Sequence, residues 1–268
     1  IAGSLNKPPQ GQLRIFDWQD LPESVLQESY DLVLSLEEDD FCAKLACSVN
    51  TRKLTGVYAC ADGKTRYTED SAPWFDMSLI STYGKEYANK LKMANSRSYQ
   101  DFLFEMIGEK FTGQPYCIHQ PQTAQKPDRI GIEQHAGHRW PGKQWTGYEK
   151  LAQKLQESGF EIMLFERREH LRQYMTDIAS CSLIVSGDTL AMHLALAYRL
   201  PVVALFNCTS AAEIYDYGLL KKIINPLLKN YFYSTQAAPE LIAAIPVNEV
   251  FKTVTDCWDL HYQPCPQT

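Results

Sequence analysis

Ser182-Leu183-Ile184-Val185-Ser186-Gly187-Asp188-Thr189-Leu190-Ala191-Met192-His193-Leu194-Ala195, continued by Pro201-Val202-Val203-Ala204-Leu205-Phe206, reads as a strand, a polar turn, a helix and a second strand. Neither apolar run alternates with polar residues, so both suit strands covered on two faces, and a helix between such strands is the crossover that joins parallel neighbours. The same order repeats upstream. Ile130-Gly131-Ile132 is a short strand; Lys143 to Ser158 sets Trp145, Tyr148, Leu151, Ala152 and Leu155 on one helical stripe ending at Gly159, a natural C-cap. Glu161 to Phe165 is a strand and Leu171 to Ser180 a helix. This β-α-β-α-β order predicts a parallel sheet with helices on both faces.

The signal weakens before Arg129. Asp31 to Leu36 suits a buried strand, Asp39 to Cys47 a helix, Lys53 to Tyr58 a second strand with a turn at Asp62-Gly63, and Ser98 to Phe111 a helix facing a core. Gln114 to Arg129 holds three prolines and little apolar content, which marks a linker. Two domains are expected, residues 1–120 and 121–268. Beyond them, Val250, Val254 and Trp258 lie at helical spacing in a final helix, Val247 to Trp258, whose reading is core packing.

Composition sets limits. A chain of 268 residues with 45% apolar and 22% charged residues can bury a substantial core, and no apolar run approaches the roughly 18 residues of a membrane helix. Ile1-Ala2-Gly3-Ser4-Leu5-Asn6-Lys7 lacks the pattern of a secretory signal, so a cytoplasmic location is expected, with the inner face of an inner membrane as one placement and peripheral membrane contact left open. A net charge of -6 argues against sequence-independent nucleic-acid binding. The eight cysteines form no CxxC pair and read as reduced thiols, without structural zinc. No cofactor is expected.

In an open parallel sheet, ligands sit beyond the carboxyl ends of the strands, where helix N-termini point. The polar turns gather there: Gln134 to Lys143, Glu166-Arg167-Arg168, Gly187-Asp188-Thr189, and Asn207 to Ser210. They offer hydroxyls, cations and backbone N–H groups that suit a diphosphate. Bland readings stand beside the functional ones. Asp188 is the expected N-cap of a helix from Thr189 to Tyr198, which alone explains an Asp there. Thr189 and His193 lie four apart on one face and would project together toward the rim. Ser210 and Glu213 form an S-x-x-E capping box for a further helix, whose N–H groups could hold a phosphate. Lys143 is either a solvated first-turn residue or a cation that neutralises a leaving diphosphate. Glu37 to Asp40 reads as a helix N-terminus rather than a metal site. His135 and His138, three apart without a third ligand, read as a polar loop rather than zinc. No DxD occurs, and no metal is expected.

Ser182 to Gly218, with its D-[ST]-x-x-x-H-x-A run from Asp188, its Pro201 to Phe206 strand, Thr209-Ser210 and Tyr217-Gly218, resembles the ADP-heptose:lipopolysaccharide heptosyltransferase family, glycosyltransferase family 9. Lys143-Gln144-Trp145 resembles the family's K-x-W, and Tyr30-Asp31-Leu32-Val33 its Y-D-L-V strand in the acceptor domain. The resemblance implies an α/β fold of GT-B type, two Rossmann-like domains with parallel sheets, the N-terminal one incomplete. It implies an inverting, metal-independent transfer of a sugar, heptose by family, from a nucleotide diphosphate sugar to a hydroxyl of a glycan, lipid-linked or protein acceptor, in bacterial surface glycan synthesis. By resemblance Lys143 stabilises the diphosphate, and Gly137, His138, Glu166, Gly187, Asp188, Thr189, His193, Thr209 and Ser210 complete the donor site. The sequence departs from the family in two places. No strand with a G-D turn precedes Tyr30, so the base that would deprotonate the acceptor is expected in an N-terminal segment this sequence does not show. Only Glu166 to His170 connect a strand and helix that the family separates further. The rival readings are a nucleotide-sugar-binding module that has lost the base and, more weakly, a nucleotide-sugar epimerase.

Overall fold

The structure, a computed structural model, describes residues 14–262, with Gln19 described for its backbone alone. The expectation placed on Ile1 to Lys7 lies outside the described residues. The described residues divide into two compact units, one of residues 14–114 with Ala212–Tyr215, the other of Pro115–Ala211 and residues 216–262.

The first unit contains α1 (Glu23–Gln27), β1 (Ser29–Tyr30), β2 (Val33–Ser35), α2 (Asp40–Ser48), β3 (Asn50–Thr51), β4 (Leu54–Ala59), β5 (Thr65–Tyr67), α3 (Ala72–Phe75), α4 (Lys85–Ala94) and α5 (Tyr99–Met106). β2 and β4 pair in parallel, as a β-α-β crossover through α2 requires, but β5 adds antiparallel to β4, so this sheet is mixed rather than wholly parallel. The acidic run is a helix start: the Asp39 carboxylate accepts the Cys42 N–H at 2.9 Å, and that bond holds it below the usual carboxylate range. Gly56 is the tightest point. Its φ of +107° is left-handed, and a Cβ there would lie 1.9 Å from the Ser35 carbonyl oxygen. Ala43, Val57, Phe75, Phe102 and Met106 form the core. α5 stops at Met106, short of the expected Phe111, because Phe111 leaves the helical path to meet Phe104 and Tyr215 edge-on.

The second unit contains β6 (Arg129–Ile132), α6 (Tyr148–Glu157), β7 (Glu161–Leu164), α7 (Leu171–Ala179), β8 (Leu183–Gly187), α8 (Leu190–Ala197), β9 (Val202–Phe206), β10 (Leu220–Ile224), α9 (Pro239–Ala243) and α10 (Val247–Tyr262). Its five strands are all parallel, in the order β10-β9-β8-β6-β7. From β6 the chain runs outward to β7, returns across β6 to β8, and continues the other way through β9 to β10. Right-handed crossovers then place α6 on one face, where it packs with α10, and α7 with α8 on the other. The core on the α6/α10 face includes Ile130, Ile132, Leu151, Val185, Val203, Val250 and Val254.

Three expectations change here. The helix expected from Lys143 begins at Tyr148, because Trp145 is buried and its indole N–H donates to the Ile245 carbonyl at 2.9 Å, pulling the chain out of helical geometry. Lys143 instead ends a single 3₁₀ turn, Pro141–Lys143. β10 went unread because Leu220-Lys221-Lys222-Ile223-Ile224 carries two lysines, which an edge strand of a parallel sheet tolerates. Finally, Ser210 to Glu213 starts no helix; the chain passes through turns to β10.

Candidate functional site

The strand order reverses between β6 and β8, and the crevice beyond the carboxyl ends of these two strands is where an open parallel sheet receives a ligand. A cavity of about 590 Å³ opens there, lined by Glu133, His135, Gly137, Trp140 and Lys143 after β6, by Glu166 to Arg168, His170, Leu171 and Tyr174 around the start of α7, and by Asp188, Thr189 and Leu190 after β8. That size accepts a ligand of nucleotide class.

Lys143 and Asp188 form the centre of the wall. The Lys143 ammonium donates to the Asp188 carboxylate at 2.7 Å and to its main-chain carbonyl at 2.8 Å, and each side chain is only 16% exposed. Asp188 is therefore not the N-cap expected of it. Thr189 takes that position with extended backbone, φ −140° and ψ 174°, without capping through its side chain, which instead meets the Ser186 hydroxyl at 2.7 Å. The first-turn amides of α8, which no helix satisfies internally, face the same end of the sheet.

Of the expected donor residues, Gly137, Lys143, Glu166, Asp188 and Thr189 line the cavity, while Gly187 lies buried behind it. His138 is exposed outside the lining. Thr189 caps α8 and its carbonyl accepts the His193 N–H at 3.4 Å, while His193 Nδ1 sits 3.3 Å from the Tyr116 hydroxyl, outside the cavity lining. Burial depresses the His193 imidazole, with Asp188 raising and Lys143 lowering it further. Thr209 and Ser210 are buried away from the lining, and the Thr209 hydroxyl has no hydrogen-bond partner among the described residues.

Sequence reasoning missed Glu133 and Tyr174. Glu133 is 8% exposed; its carboxylate accepts the Tyr174 hydroxyl and the His135 main-chain N–H, the latter at 2.8 Å. A carboxylate placed directly after a doubly buried strand was the available signal. Arg168 is held by Asp177 at 2.6 Å, and both it and Arg167 are exposed cations of their loop. Among the described residues no group of three or more His, Cys, Asp or Glu is placed to hold a metal ion, and no helix is long and apolar enough to cross a membrane.

The family model of glycosyltransferase family 9 (heptosyltransferase) matches residues 168–232. No curated protein matches the sequence. Among solved structures, the E. coli heptosyltransferase WaaC with ADP-2-deoxy-2-fluoro heptose is 15% identical at a TM-score of 0.50, covering 87% of this chain and 74% of its own. E. coli ADP-heptose lps heptosyltransferase II is 17% identical at a TM-score of 0.48, covering 88% and 78%. The dodecameric iron-containing heptosyltransferase TibC, in complex with ADP-D-β-D-heptose, is 12% identical at a TM-score of 0.43, covering 60% of this chain; this chain spans 53% of its length. Residues 168–232 thus match the glycosyltransferase family 9 model, and the α/β fold is similar to that of the E. coli heptosyltransferase WaaC.

Proposed function

We propose that the chain is a glycosyltransferase whose C-terminal unit, about residues 121–268, binds a nucleotide diphosphate sugar in the cavity beyond β6 and β8. The observation that carries this reading is the Lys143–Asp188 pair, set beside the α8 N-terminus at the point where strand order reverses. Lys143 is held by its neighbour at rest, and an entering diphosphate competes for it. Cleavage of the anomeric bond places negative charge on the departing diphosphate, and a preorganised ammonium and helix terminus stabilise that charge without a metal. Asp188, Thr189 and Glu166 offer acceptors and a hydroxyl to sugar and ribose groups; Gly137 lets the β6 loop approach closely.

In this proposal the sugar is a heptose, its transfer inverts the anomeric centre, and the acceptor is a hydroxyl of a bacterial surface glycan or glycoconjugate precursor met on the unit of residues 1–120. The general base is a carboxylate outside the donor cavity. The reaction runs in the cytoplasm, at the inner face of the membrane where a lipid-linked acceptor is presented. A thermal-shift screen of nucleotide diphosphate sugars tests the reading: at least one raises the melting temperature, and stabilisation by none of them counts against donor binding.

A further inference from the structure

Glu133 is the one Asp, Glu, Lys or Arg below one-tenth exposure among the described residues. It is also fixed firmly. Its main-chain N–H continues the sheet to the Val185 carbonyl at 2.9 Å. One carboxylate oxygen accepts the Tyr174 hydroxyl from α7; the other accepts the His135 main-chain N–H at 2.8 Å and lies 3.1 Å from His135 Nδ1. Burial first, and the bond to Glu133 second, push the Tyr174 phenol far up, so its hydroxyl keeps the proton and remains a donor. Both oxygens of this buried carboxylate thus have protein donors. His135 differs from its partners: its side chain is 56% exposed, lines the cavity, and has no partner at Nε2 among the described residues.

We propose that Glu133 is a positioning residue that holds the His135 ring through Nδ1–H and thereby presents Nε2–H of the imidazolium to the diphosphate of the bound nucleotide sugar. The inference rests on the donor-site reading above. The chemistry follows from the two ring nitrogens. A neutral ring that donates from Nδ1 offers only a lone pair at Nε2, which repels a phosphate oxygen; the imidazolium donates from both. Ligand binding is therefore coupled to proton uptake at His135. The charged groups that face the ring are Glu133 beside Nδ1 and Glu166, Arg167, Arg168, Lys143 and Asp188 in the cavity lining, and the incoming diphosphate adds negative charge that favours the imidazolium. Affinity is consequently greatest at low pH and falls as pH rises through the imidazole's titration in the complex, by at most about tenfold per pH unit. His170 also lines the cavity, so the assignment to His135 comes from substitution.

Isothermal titration calorimetry from pH 6 to 8, in buffers of different ionisation enthalpy, tests this with ADP-glucose and UDP-glucose, whose diphosphate does not titrate there. The wild-type protein is expected to bind more weakly as pH rises and to take up protons on binding. His135→Gln is expected to bind about tenfold more weakly at pH 6 and to lose most of the pH dependence. Glu133→Gln is expected to shift the pH profile to lower values, its fold being checked by the melting temperature without ligand. Should Glu133→Gln fail to fold, His135→Gln decides alone, since its ring is half in solvent. A wild-type protein that binds with a pH profile His135→Gln leaves unchanged overturns this inference and spares the donor reading. If neither probe binds and no nucleotide diphosphate sugar shifts the melting temperature, both fall.

Discussion

Lys143→Met separates a structural ion pair from a ligand-binding one. Methionine keeps the length and apolar stem of the side chain but removes the ammonium that donates to Asp188 at 2.7 and 2.8 Å. The Asp188 carboxylate, 16% exposed, is left without its cation. Breaking a fully buried pair in this way costs about 3–5 kcal/mol, and exposed pairs are worth about 0–1 kcal/mol; partial exposure here places the cost at about 2 kcal/mol. For a chain of this size that lowers the melting temperature by about 4–8 °C. Lys143→Met/Asp188→Asn, which removes both charges, is expected to recover most of the loss. The donor account adds a second consequence that stability alone does not: a lost charge-assisted contact to the diphosphate weakens a nucleotide diphosphate sugar about 10–100-fold. Differential scanning fluorimetry and calorimetric titration measure the two effects on the same samples. A melting temperature that falls while ligand affinity holds would show Lys143 to be a structural cation and refute its place at the diphosphate.

Further expectations follow from single sites. Gly56→Ala combines a left-handed φ of +107° with a Cβ 1.9 Å from the Ser35 carbonyl, so it is expected to destabilise the N-terminal unit by more than about 3 kcal/mol, read by chemical denaturation; a midpoint within error of wild type contradicts that backbone geometry. Burial depresses the His193 imidazole, so the unfolded chain binds more protons than the folded one as pH drops below the imidazole's ordinary range. Stability from this group is full above that range and is lost as pH falls through it toward the folded value; His193→Gln is expected to flatten this part of the acid limb, and an unchanged slope in urea titrations between pH 7 and 5 refutes it. Native cysteine modification at pH 8, mapped by peptide mass spectrometry, is expected at the exposed Cys47 and Cys117 and not at buried Cys181 or Cys208, whose thiols burial pushes up to about 12 and about 11. Early labelling of Cys181 counts against the packing of β8.

The parallel sheet was legible because its strands are doubly buried and announce themselves as apolar runs: β8 and β9 fall within a residue or two of where their sequences place them. The edge strand β10 was not, since only Leu220 and Ile223 are buried and two lysines interrupt it. Helix starts were less legible than helix existence. Asp188 has the chemistry of an N-cap, but its carboxylate is drawn to Lys143, a partner 45 positions away that no local pattern reveals. The same limit hid the role of Glu133, whose partner Tyr174 lies 41 positions away on α7. Helical spacing also left out a distant partner: Thr189 caps α8 and meets the Ser186 hydroxyl, and the His193 imidazole lies beside Tyr116, 77 positions away.

The central claim is that the cavity beyond β6 and β8 holds a nucleotide diphosphate sugar. A crystal structure of the protein grown with the nucleotide diphosphate sugar that stabilises it most tests this directly. The account predicts diphosphate density within hydrogen-bonding distance of Lys143 Nζ and the first-turn amides of α8. Density for that ligand elsewhere on the chain, with the Lys143–Asp188 pair undisturbed and the cavity unfilled, contradicts it.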